Sequence, residues 1–73
     1  SSLSNRQKQE LEEIPDKINV LELEQADIGE VMSDPNLYVS NPGLVEQHQK
    51  RLLEIEAEIE ALMEKWEALS AIE

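Results

Sequence analysis

The chain has no cysteine, no phenylalanine, two glycines and a single histidine. Without a thiol there is no disulfide to staple a small fold and no cysteine nucleophile. One imidazole cannot build a metal cage, and no zinc-type ligand spacing surrounds His48. There is no G-x-S-x-G elbow and no glycine loop to cradle a phosphate. Apolar runs stop at two or three residues, so the sequence predicts neither a transmembrane span nor a signal-peptide core and reads as cytoplasmic. Positive charge is scarce: six Lys and Arg stand against seventeen Asp and Glu, for a formal charge of −11. Such a surface repels phosphate backbones on average, favours basic partners and opposes tight self-association at low salt.

What is present is helical. Seventy-three residues give at most one domain, and a start at Ser1-Ser2-Leu3 without methionine reads as a fragment of a longer protein. From Leu52 to Leu69 the large apolar residues recur at three and four: Leu52, Ile55, Ile59, Leu62, Trp66, Leu69. That is a heptad seam, with Leu52, Ile59 and Trp66 at a and the others at d. Glu, Lys and Ala between them favour helix. A second seam runs through Leu11, Ile14, Ile18, Leu21, Gln25, Ile28 and Met32. Ser4 with Gln7 forms an S-x-x-Q capping box, which starts that helix. Pro15 interrupts it at a cost of about 3 kcal/mol, so the spacing predicts a kink or break there. Gly29 is read either as a point of close approach or as a tolerated glycine. Ser33 to Gly43, rich in proline and asparagine, is the turn, with Leu37 and Tyr38 folding back over Val31 or Leu44. Asn41 then caps a helix with Pro42 as its first residue.

The expected fold is therefore all-α. It is a single domain over 1–73, an antiparallel two-helix coiled-coil hairpin, with a helix over about 4–33, a loop over about 34–41 and a helix over about 42–72. Partners whose numbers add to about 73 satisfy the apolar pattern: Leu11 with Leu62, Ile14 with Ile59, Ile18 with Ile55, Leu21 with Leu52, Ile28 with Val45. A slip of one heptad satisfies it too. The tie is broken by the seam polar pair Gln25 and His48, which face each other only in the first register; an unpaired buried polar group costs about 1–3 kcal/mol. So small a seam is marginal alone, and a secondary stripe of Leu53, Ala57, Ala61, Ala68 and Ile72 is a candidate contact for a weak homodimer.

No catalytic constellation emerges. Catalytic carboxylates need desolvation to separate their pKa values, whereas Glu54, Glu56, Glu58 and Glu60 fan around a solvated helix. His48 reads as a seam residue that makes stability weakly pH-dependent. Trp66 reads as core at the open end of the hairpin, or else as a stacking residue. The basic residues Arg6, Lys8, Lys17 and Lys65 gather at that end as candidate phosphate contacts, with ordinary surface charge as the alternative.

Taken together, Leu3-Ser4, the Gln9-Glu10-Leu11-Glu12-Glu13-Ile14-Pro15 piece, the Asp34-Pro35-Asn36-Leu37-Tyr38 loop and the Lys65-Trp66-Glu67-Ala68-Leu69 box resemble the C-terminal coiled-coil domain of bacterial Uup-type ABC-F ATPases. The resemblance spans essentially the whole chain. Where that family typically has Arg-Trp-x-x-Leu-Glu, Lys65 and Ser70 stand here. It implies an accessory module behind two ATP-binding cassettes, with ATP bound in the parent's cassettes and no cofactor in this segment. It also implies nucleic acid (DNA, or ribosomal RNA on the ribosome) as a partner reached through the parent. The competing expectation is a protein-interaction or self-association module, whose acidic face meets a basic partner such as the parent's own linker or cassettes.

Overall fold

Ser4 begins the first helix as its sequence demands. Its hydroxyl accepts the Gln7 N–H at 3.1 Å, and the Gln7 side chain accepts the Ser4 N–H at 3.0 Å. Two otherwise unpaired donors are satisfied reciprocally. In the computed structural model, which describes residues 2–73, α1 then runs Asn5–Met32. It passes through Pro15 without a break, so of the two expected outcomes there, kink or break, the break does not occur. Ile14 on one side is buried and Ile18 on the other half-buried, while Pro15 itself is exposed. The seam holds both halves of the helix, and the disrupted turn faces solvent.

Helix α1 ends where Ser33 turns its hydroxyl back to the Glu30 carbonyl at 2.7 Å. The carboxylate of Asp34 accepts the Asn36 N–H at 2.9 Å, an Asx turn that launches a single helical turn, α2, Leu37–Ser40. The expected loop thus contains a helix, with Leu37 half-buried and α2 packed on the helix that follows. Asn41 accepts the Leu44 N–H at 3.2 Å and Pro42 opens α3, Pro42–Ile72. The two long helices pack on each other as the expected antiparallel hairpin, a rod of 55 × 15 × 15 Å. Gly29 faces open space, so the tolerated-glycine reading holds.

The register departs from expectation. Leu3, Ile14 and Leu69 form one buried cluster, with Leu11, Ile18 and Leu62 packed against it. Trp66 lies in a hollow with Ile14 and Ile18. Arg51 stretches along α3 between Glu54 and Glu58 to meet Glu24. These neighbours set Leu11 near Leu69, Ile14 near Trp66 and Ile18 near Leu62, a slip of one heptad from the predicted pairing. The physical reason is that the presumed polar penalty is not incurred. Gln25 and His48 are both only half-buried, and neither side chain makes a hydrogen bond within the chain or is left buried and unpaired, so they need not find each other. Farther along, Ile55 is 0% exposed and Ile28 and Val45 are buried, continuing the core toward the turn.

Candidate functional site

Two faces flank the seam, and the heptad assigns them different chemistry. The two ion pairs that bridge the helices, Arg51 with Glu24 and Lys65 with Glu10, both join residues that stand just before an a position. Arg51 donates to Glu24 through Nε at 2.6 Å and through a terminal nitrogen at 2.8 Å, a two-pronged pairing. The same guanidinium lies 3.5 Å from Glu58 and 3.9 Å from Glu54. The hydrogen bond from Arg51, opposed by partial burial and reinforced by the positive charge, holds the Glu24 carboxyl below its ordinary value. The acids around Arg51 push its own pKa higher still, chiefly through the hydrogen bond to Glu24. Nearer the open end, Lys65 reaches Glu10 at 3.1 Å.

The predicted cations are therefore largely engaged. Arg6 stands 3.9 Å from Glu10, Lys17 stands 3.9 Å from Glu13, and Lys65 shares Glu10. Only Lys8 of the four is exposed without an ion pair. Nor do they converge on the aromatic. Lys17 lines a hollow with Val20, Leu21, Glu58 and Leu62, whereas Trp66 lines another with Ile14, Pro15, Ile18, Met63 and Glu67. Trp66 is 45% exposed, so it covers the edge of the seam and is not the buried core residue that one of its two expected readings required. Arg51, which was not singled out from the sequence, makes the tightest cross-helix contact. Its signal was present: a charge just before an a position sits where the two helices of a coiled coil exchange ion pairs.

The opposite flank is acidic. The Trp66 hollow adjoins a second one along Gln25, Ile59 and Met63 that is rimmed by Glu22, Glu56, Glu60 and Glu64. Among the described residues, no group of three His, Cys, Asp or Glu is arranged to hold a metal, and no helix is long and apolar enough to cross a membrane.

The molecule is thus an elongated antiparallel helical pair, clipped by ion pairs across one flank and grooved along both. Residues 2–71 match the family model described as ABC transporter C-terminal domain, and the chain belongs to that family, which supplies the C-terminal domain of ABC-F type ATPases. No curated protein and no solved structure matches it. It is an accessory module of an ABC protein, with a fold distinct from the catalytic cassette.

Proposed function

We propose that this module helps a cytoplasmic Uup-like ABC-F ATPase engage nucleic acid, either DNA or ribosomal RNA on the ribosome, while ATP chemistry belongs to the parent's cassettes. The observation that carries this reading is the half-exposed Trp66, beside Lys65 and at the same end as Arg6 and Lys8. An indole with a free face stacks on bases, and Lys8 at that end is exposed without an ion pair, free to meet a phosphate. The chain as a whole, at −11, repels a duplex, so the contact is confined to the open end and is strong only in the context of the parent.

Titrating labelled duplexes of DNA and RNA at about 50 mM and about 150 mM salt tests this. The expected result is weak binding that fades with salt and is abolished by Trp66→Ala or Lys8→Glu. Binding indifferent to both substitutions overturns the reading. A second reading, contact with a basic protein segment, is favoured by a separate observation: the ion pairs already engage Arg6, Lys17, Arg51 and Lys65, while the acidic flank has no such cover.

A further inference from the structure

The two adjoining hollows on the acidic flank, of about 410 and about 510 Å³, share Met63 and Glu67 and form one furrow along the seam. Its floor is mostly apolar, Ile14, Pro15, Ile18, Ile59, Met63 and the exposed face of Trp66, with Gln25 as its uncharged polar member. Met63 is 52% exposed and Trp66 is 45% exposed, so large greasy groups await cover. Its rim carries Glu22, Glu56, Glu60, Glu64 and Glu67, and no lysine or arginine lines it. The other flank shares the apolar lining, through Val20, Leu21, Ala61 and Leu62, but differs in charge. There the hollow includes Lys17 opposite Glu58, and the neighbouring charges are bridged across the helices. One side of the rod is thus charge-compensated and the other is not.

We propose that the furrow is a docking site for a cationic amphipathic peptide segment, whose apolar side chains sit on Trp66, Met63 and Ile59 while its lysines or arginines pair with the glutamate rim. The inference deepens the protein-contact reading and rests on it. Charge complementarity selects this occupant. A second copy of the chain, at −11, is repelled, and a phosphate backbone meets five carboxylates along the rim. A cation-bearing helix satisfies both the floor and the rim, because one apolar stripe flanked by basic positions matches an apolar groove flanked by acids. Trp66 supplies the kind of rigid aromatic anchor that dominates such contacts.

The probe is a synthetic Leu/Lys peptide of helical periodicity, titrated into the full chain. Trp66 fluorescence and backbone amide shifts are the readouts. The expected result is a blue-shifted Trp66 emission and shifts confined to the furrow. A Leu/Glu peptide of the same pattern is expected not to bind. The double substitution Glu56→Lys with Glu60→Lys should weaken binding about tenfold or more, whereas Glu30→Lys with Glu46→Lys, an equal change of charge away from the furrow, should cost about twofold or less. Equal losses from the two pairs, or equal binding of a scrambled Lys peptide, overturn the furrow while leaving a diffuse protein contact standing. No binding by any basic peptide removes the protein-contact reading as well. Duplex DNA that shifts the furrow amides assigns the site to nucleic acid and overturns the proposal.

Discussion

Arg51 is the residue on which the two helices most visibly agree. Its guanidinium meets Glu24 of the opposite helix while held between Glu54 and Glu58 of its own. Because the hydrogen bond depresses the Glu24 pKa in the folded state, the stability it contributes is present above the ordinary carboxyl value of 4.5 and is lost as pH falls through the folded value. The expected outcome is that the difference in melting temperature between the wild-type chain and Glu24→Gln is constant near neutral pH and shrinks below about pH 4. Taking the difference matters, since protonating the other carboxylates relieves repulsion in both proteins. His48, half-buried, forms no comparable partnership, so His48→Gln should change the melting temperature little at neutral pH.

At the scale of the element, α1 carries two residues that weaken its backbone. Pro15 is exposed within an unbroken helix, and a Cβ added at Gly29 would meet nothing within 4 Å. Gly29→Ala should raise stability by about 1 kcal/mol, and Pro15→Ala by about 1–3 kcal/mol through the restored bond to the Leu11 carbonyl, both read from urea midpoints. In the other direction, Ile55→Ala removes a fully buried side chain and should cost about 2–5 kcal/mol. The helix ends were legible because caps are local: Ser4 needs only Gln7, and Asn41 needs only Leu44. The turn of helix α2 was not, since prolines and asparagines mark punctuation but do not say that Asp34 will fold them into an Asx turn. The pairing register was the least legible feature. A heptad repeat looks the same after a shift of seven, and the tie-breaker assumed that Gln25 and His48 were buried more deeply than they are.

At the scale of the molecule, the periodicities of three and four were enough to give a hairpin, and the family match over 2–71 agrees with the motifs that pointed to it. The partition of the surface was not readable that way. Counting cations near Trp66 placed four of them at one end, but only the folded register shows that three are answered by acids and that Lys17 belongs to the other flank. Scattering at about 150 mM salt, where repulsion between molecules is screened, should return a radius of gyration near the 16.6 Å of the Cα trace, independent of concentration. A value that climbs with concentration would instead make the exposed Leu53 stripe a dimer contact.

The rod's length has an electrical meaning of its own. Spreading −11 over 55 Å leaves one uncompensated negative charge every 5 Å, about a third of the linear density of duplex DNA. A thin body charged in this way gathers a sheath of small cations, as a short polyelectrolyte does. Whatever positively charged molecule settles against it must first displace that sheath, and the gain from releasing those ions shrinks as the surrounding electrolyte grows more concentrated.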